Sequence, residues 1–580
     1  MTLFTGSSDT QHIRGIDIIL LLCVFIIFYG VFYLSQGMTV PFSMTNEPKI
    51  DLDPIMLPYY GGRSILRIFI AFIVSLLFSI VYGYIAAKSA SARKILIPLL
   101  DILQSIPVLG FLSATIIMFI NLFPHSLAGV EIASIFAIFT SMAWNMTFSF
   151  YQSILSEPRD LTEATKVLHL NSWQRFLYLD LPVSIIGLIW NSMMSFGGAW
   201  FFLAASESIS VMGQDIQLPG VGSYLAVATA EGNMTAMLYA IVTMLIMILL
   251  IDQLFWRPLV VWSQKFKVEL SESEIQPTSW VYDILHASWL MNNIVNKVLQ
   301  PLFRLVSFII SQLAAVTDRI HDELQARHQK QTALYLIKII ICLCFLYLLY
   351  SPAHSTLLNI RDVKVGDIGD AFILGTYTLL RVLAALLIGA LWTIPVGVAI
   401  GLRPKLSEKL QPVIQIIASF PANMIFPFVT ILFLKYNFNF EIGSVFLMIL
   451  GTQWYILFNV IAGAMSIPND LLEAASVFHI TGWQKWRYLI LPSIFPHLLT
   501  GLITASGGAW NASIVSEIVV WKNHPLVAKG LGAYVSQATA EGDWPQIIIG
   551  VMIMCIFVVA VNRFLWRRLY ELAESRFHVE

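Results

Sequence analysis

One signature occurs twice in this chain. Residues 157–182 read EPRDLTEATKVLHLNSWQRFLYLDLP, and residues 467–492 read IPNDLLEAASVFHITGWQKWRYLILP. Glu163 and Glu473 stand 310 residues apart, as do Trp173 and Trp483, and Pro182 and Pro492. A polar helical hairpin set between apolar spans suits a membrane protein that takes force from a soluble partner. Its duplication gives that receiver two-fold pseudosymmetry.

The repeat extends well beyond the hairpin. Arg67, Pro98 and Pro107 return as Arg381, Pro412 and Pro421, at an offset of 314. Further on, Gly197-Gly198-Ala199-Trp200 returns as Gly507-Gly508-Ala509-Trp510, and Glu207 as Glu517, at an offset of 310. The change of offset places a four-residue length difference near 121–130 against 434–441. The chain therefore divides into an N-terminal span and outer loop (1–60), a first repeat (61–260), a linker (261–332), an extra span and loop (333–370) and a second repeat (371–580).

Composition sets the solvent. Charged residues are 12% and hydrophobic residues 57%, whereas soluble domains carry roughly 25% charged residues. This is an all-α polytopic membrane protein. A net charge of -1 gives no case for nucleic-acid binding, and the four cysteines all fall in apolar runs, as packing residues rather than metal ligands or disulfides. Since about 20 apolar residues cross the hydrocarbon, spans are expected near 16–34, 65–87, 97–120, 131–152, 183–205 and 235–256, then 333–350, 371–400, 412–434, 442–464, 493–513 and 545–565. Twelve spans in two six-helix halves result. Arg93, Lys94, Arg403, Lys405 and Lys409, together with both hairpins and the ends near Arg257 and Arg567, put the basic residues on one side. That places the hairpins and both termini in the cytoplasm. Parity makes 301–318 an interfacial amphipathic helix rather than a thirteenth crossing.

Each hairpin reads as two short helices. Asp160 and Asp470, three residues before Glu163 and Glu473, give a capping pattern for the first. Asn171 and Thr481, three before Gln174 and Gln484, start the second, and Pro182 or Pro492 ends it.

Glu163-Ala164-Thr165 and Glu473-Ala474-Ala475, each followed by Leu-Pro, resemble the EAA loop of ABC-importer permeases. Gly197-Gly198-Ala199-Trp200 with Ser206-Glu207, and the glycines 220 and 222 with their second copies, resemble the nitrate/sulfonate/taurine-type branch. The likeness covers about 60–260 and 370–570. It implies a type I importer permease whose hairpins dock in two cytoplasmic ATPase subunits, with Trp173, Pro182, Trp483 and Pro492 in the coupling element. It also implies an external solute-binding protein, a multi-pass location in the inner membrane and a small anion or organic anion as solute. The family usually has glycine six residues after the glutamate; here His169 and His479 stand there. Two readings of these histidines remain open: tuning of coupling by pH, or a tolerated polar substitution. No phosphate-binding G-x-x-x-x-G-K-[ST] segment occurs, so the chain itself carries no cofactor, and ATP and Mg belong to the partner.

Candidates for the solute path are Gln104, Ser105, Gln415 and Ser419 before the prolines of the third spans, and Ser195, Trp200, Ser506 and Trp510 on the small-residue spans. Glu207 and Glu517, near the outer ends of those spans, either take part in transport or cap a following helix. Two other classes compete. An ATP-independent twelve-span secondary transporter would show intramembrane coupling charges, which are sparse. A membrane enzyme would show a nucleophile, a paired-carboxylate or a metal motif, and no H-E-x-x-H or similar cluster is present.

Overall fold

The structure, a computed structural model, describes residues 15–41, 49–211, 214–266, 278–326, 365–522 and 524–576. In the first half, α1 (Gly15–Gln36), α2 (Leu57–Lys88), α3 (Ala90–Ser105), α4 (Val108–Leu122) and α5 (Ala128–Leu155) lead to the short helices α6 (Arg159–Val167) and α7 (Ser172–Arg175). Next come α8 (Leu181–Glu207), an antiparallel ribbon of β1 (Ser208–Val211) and β2 (Gln214–Gln217), α9 (Val221–Glu231) and α10 (Met234–Ile251). A linker follows: α11 (Arg257–Ser263), α12 (Trp280–Ala287), α13 (Trp289–Ile294) and α14 (Gln300–Ala326). The second half repeats the plan with α15 (Val365–Gly401), α16 (Pro404–Ser419), α17 (Phe426–Lys435), α18 (Phe440–Met465), α19 (Asn469–Val477), α20 (Gly482–Lys485) and α21 (Leu491–Ser516). It ends with β3 (Ile518–Trp521), β4 (His524–Val527), α22 (Leu531–Glu541), α23 (Trp544–Val561) and α24 (Arg567–Arg576).

Ten helical stretches among the described residues are long and apolar enough to cross a membrane. The expected spans 97–120 and 412–434 are not continuous, and the cause is local. Proline has no N–H and forces the residue before it into extended geometry. Ile106 (φ -79°, ψ 122°) precedes Pro107, and Phe420 (φ -71°, ψ 127°) precedes Pro421. Each third span is thus two half-helices. The expected span 333–350 lies outside the described residues.

The broken helices interlock the halves. Val108, Leu109, Leu112 and Ile116 of α4 belong to the apolar core of the second half, with Ile514, Leu531 and Ile553. In return Met424 lies in the core of the first half, with Phe420 and Phe428 packed against it. Two hydrogen bonds mark these crossings: Val108 N–H donates to Asn511 Oδ1 at 2.8 Å, and Asn423 Nδ2 donates to the Phe201 carbonyl at 3.3 Å.

The stretch Trp289–Gln312 is also long enough to span, but little of it is buried. Its serine edge bonds the first hairpin while Leu302, Phe303, Leu305 and Ile309 are exposed.

Candidate coupling hairpins and the seam between the halves

The hairpin helices begin earlier than the spacing of acids suggests. Pro158 and Pro468 occupy the N-cap positions of α6 and α19, without a side-chain cap. Asp160 and Asp470 instead sit in the first turn, where they meet the positive end of the helix dipole. Glu163 and Glu473 lie further along, exposed, while Thr165 and Ala475 beside them are buried. Apolar side chains crowd the tips: Val167 and Leu168 on the first hairpin, Val477 and Phe478 on the second, all strongly exposed. Scattered exposed apolar residues mean little, but here the two polar hairpins carry apolar tips at matched positions.

The histidines close these helices. His169 has φ 50° and His479 has φ 53°, left-handed values that cost an ordinary residue about 1–2 kcal/mol. Around them the chain makes the paired bonds of a left-handed helix terminus. His169 N–H donates to the Lys166 carbonyl at 3.1 Å and Leu170 N–H to the Thr165 carbonyl at 3.1 Å; His479 and Ile480 repeat the pattern. This geometry explains why glycine suits the position. Replacing both residues, His169→Gly and His479→Gly, is expected to stabilise each hairpin by up to about 1 kcal/mol, read as a rise in the unfolding temperature of the purified chain.

Neither Pro182 nor Pro492 ends a helix. A widened π turn, Phe176–Asp180 or Trp486–Ile490, precedes each proline and carries the chain straight on. The turn takes up the carbonyl that a proline would otherwise strike. The second helix of each hairpin is therefore the hairpin end of one long rod, Ser172–Glu207 or Gly482–Ser516. At about 1.5 Å per residue such a rod spans roughly 50 Å. Asn171 forms the expected capping box with Gln174, whereas Thr481 makes no side-chain cap.

The rods are seated differently. On the first, Lys88 Nζ approaches Asp180 at 2.9 Å and Glu157 at 3.7 Å, while Arg175 approaches Glu157 at 3.2 Å and Asp180 at 3.4 Å. The second copy has Ile467 and Ile490, both buried, where Glu157 and Asp180 stand. Burial, then the neighbouring Asp180, pushes the Glu157 carboxyl up to about 7. Each of these two carboxylates keeps one oxygen without a hydrogen-bond partner, and a proton held between them would satisfy both. A native pKa above the ordinary value means the folded hairpin holds the extra proton. Its stabilisation is complete below about pH 4.5 and is lost as the pH rises through about 7. Thermal unfolding followed from pH 5 to 8 should show this fall in the wild type and a flatter profile in Glu157→Gln.

Along the rods, Gly197 and Gly198 lie at the seam. A β-carbon at Gly197 would come 3.0 Å from Ser419 Oγ, and one at Gly198 3.0 Å from Tyr455 OH. Around them lies a cavity of about 80 Å³, lined by Gln415, Ser419, Tyr455, Asn511, Phe201 and Gly508 among others, without a charged side chain. Of the expected path residues, Gln415 and Ser419 line this cavity, and Trp200 borders a smaller one with both of them. Trp510 is buried beside Phe557, Ser506 is buried and Ser195 accepts from Asn145 Nδ2 at 3.1 Å; none of the three lines the cavity. Gln104 is exposed on α3, and Ser105 ends that helix. Asn511 and Tyr455 carried no repeat signal in the sequence.

At the end of the rods away from the hairpins, Glu207 and Glu517 accept from the first turn of the following helix. Glu207 is fully buried: Arg67 Nη1 donates to it at 2.6 Å, Ser64 Oγ donates to it, and Gly222 N–H donates at 2.7 Å from the first turn of α9. Arg67 also holds Glu131 through Nε at 2.5 Å and Nη2 at 2.9 Å. In the second half Arg381 holds Glu517 at 3.0 Å and pairs with Glu441, while Thr378 and Gly532 N–H complete the cap, each at 2.8 Å. A β-carbon at Gly222 would lie 2.9 Å from the Glu207 carboxylate, so only glycine lets the helix end approach. Each cluster ties α2 or α15, α5 or α18, the rod and the short outer helix into one block.

Known proteins resemble parts of this chain in sequence. The model of the family described as binding-protein-dependent transport system inner membrane component matches residues 62–255 and again 393–579. The bicarbonate transport system permease protein CmpB of Synechococcus elongatus is 29% identical over 189 residues, 32% of this chain and 64% of its own length. The taurine transport system permease protein TauC of Escherichia coli is 27% identical over 195 residues, covering 33% of this chain and 67% of its own. The nitrate import permease protein NrtB of Synechococcus elongatus is 26% identical over 189 residues, with shares of 32% and 64%. The matched stretch thus spans a little under two thirds of the length of the bicarbonate and nitrate relatives. Both repeats carry the family domain over most of the chain, which belongs to the binding-protein-dependent transport system inner membrane components.

Proposed function

We propose that this chain is the membrane-spanning permease of an ATP-driven importer, not an enzyme itself, with two separate cytoplasmic ATPase subunits docking on α6–α7 and α19–α20. The observation that carries the proposal is the pair of apolar-tipped hairpins, each continuous with a rod that reaches the seam cavity and ends in a buried carboxylate cluster. A push on either tip moves a rigid helix, and the glycine contacts at the seam are where two such helices can slide or part. An external solute-binding protein would seat on the outer side, over the β ribbons and α9 and α22. The chain then lies in the inner membrane with both termini in the cytoplasm, as its basic residues favour. The relatives named for bicarbonate, nitrate and taurine support a small anion or organic anion as solute.

The test is copurification. Wild-type chain expressed with its cognate ATPase should retain it through purification, and Glu163→Lys with Glu473→Lys should weaken retention by roughly tenfold or more, the effect of about 1.4 kcal/mol. Undiminished retention together with undiminished transport in the double variant would remove the docking role.

A further inference from the structure

The two hairpins are copies in sequence, yet they differ in what lies against their second helix. On the first, α14 runs alongside. Trp173 Nε1 donates to Ser307 Oγ at 3.0 Å, and Asn171 Nδ2 donates to Ser311 at 2.8 Å to Oγ and 3.2 Å to the carbonyl. Ser307 and Ser311 are four apart, on one face of the helix. Asn171 is fully committed, because its Oδ1 accepts from Gln174 N–H at 2.8 Å while its amide reaches α14. The linker is held at its other end too: Ser288 Oγ and Leu290 N–H donate to the buried Asp17 carboxylate of α1 at 2.6 and 3.1 Å.

Among the described residues the second hairpin lacks this arrangement. Thr481 replaces Asn171 and makes no cap, Gly482 follows with φ 55°, and Trp483 is 72% exposed where Trp173 is half-buried. Tyr488 is 66% exposed on the same segment. A large indole left in water beside the apolar tip of Val477 and Phe478 enlarges the sticky surface, and aromatic anchors of this kind dominate binding energy.

We infer that the two hairpins are unequal docking surfaces: α14 occupies on the first the aromatic face that the second presents, through Trp483, to its ATPase subunit. Given the docking role proposed above, α14 leaves α6 as the main grip of the first subunit on its hairpin, by Leu161, Val167 and Leu168, while the second grips α19 and Trp483 together. The linker is then a brace from α1 to one hairpin, and the second seat holds its subunit more tightly.

Oxidative footprinting of tryptophans tests this, on the full chain in lipid nanodiscs, with and without its copurified ATPase. In the chain alone Trp173 should oxidise several-fold more slowly than Trp483. Ser307→Lys with Ser311→Lys, which pushes α14 off, should bring Trp173 up to the Trp483 rate and leave Trp483 unchanged. Adding the ATPase should slow Trp483 several-fold and Trp173 little. Equal rates in the chain alone, or a Trp173 rate indifferent to the lysines, would overturn the brace. Trp483 staying fast in a formed complex would overturn the second seat. An ATPase that fails to bind at all contradicts the docking role itself, while the contrast between the two tryptophans in the chain alone still reports on the brace.

Discussion

Arg67→Met is expected to destabilise the chain by about 3–5 kcal/mol, the usual cost of leaving a buried charge without its partner. Arg67 and Glu207 are both fully buried, and one guanidinium serves Glu131, Glu207 and the Pro219 carbonyl. Glu131 keeps Arg63 after the change, but Glu207 keeps only neutral donors, Ser64 and the first turn of α9. The unpaired carboxylate then stays fully buried at the far end of the rod, where charge is costly. Arg381→Met should cost a similar amount, because its partner Glu517 is as deeply buried as Glu207, while Glu441, 40% exposed, can be rewetted. Adding Glu207→Gln to Arg67→Met should return part of the loss, since removing both charges leaves no orphan. Thermal unfolding in detergent measures all three against wild type; an Arg67→Met protein as stable as wild type would show the cluster to be ornamental.

The second large effect concerns transport rather than stability. Gly198→Leu places an isobutyl group where a β-carbon alone already lies 3.0 Å from Tyr455 OH, inside the seam cavity. Overpacking of this kind costs about 1–3 kcal/mol, and the added bulk fills space that a solute would cross. Uptake should fall by an order of magnitude or more, while ATPase retention, which depends on hairpins at the far end of the rod, should stay near wild type. Unchanged uptake in Gly198→Leu would remove the cavity from the path.

Much of this was legible in the residues. The duplicated hairpin, the small-residue seam and the two-half plan follow from repeats and periodicity, because helix in a membrane leaves the chain few alternatives. The prolines at 107 and 421 also forecast the broken helices, although a window of apolar residues reads each as one span. Other features depend on contacts between distant segments. Glu131 and Glu441 repeat at the same offset as the hairpins, a signal that would have pointed to the clusters, yet their pairing with Arg67 and Arg381 needs the folded bundle. The acids at 160 and 470 suggested caps, but Pro158 and Pro468 fix the helix start two residues earlier. Likewise the π turns before Pro182 and Pro492 turn two expected stops into continuous rods. Among the described residues α14 lies on the first hairpin, bonded by Asn171, where the second copy has Thr481, and by Trp173, a contact that pairing across distant segments decides.

Solute uptake into proteoliposomes tests the central claim most directly. Chain reconstituted with its copurified ATPase and solute-binding protein should accumulate solute only when ATP is supplied on the hairpin side, and Glu163→Lys with Glu473→Lys should abolish that accumulation. Uptake by the chain alone, driven by an ion gradient and indifferent to ATP, would contradict it.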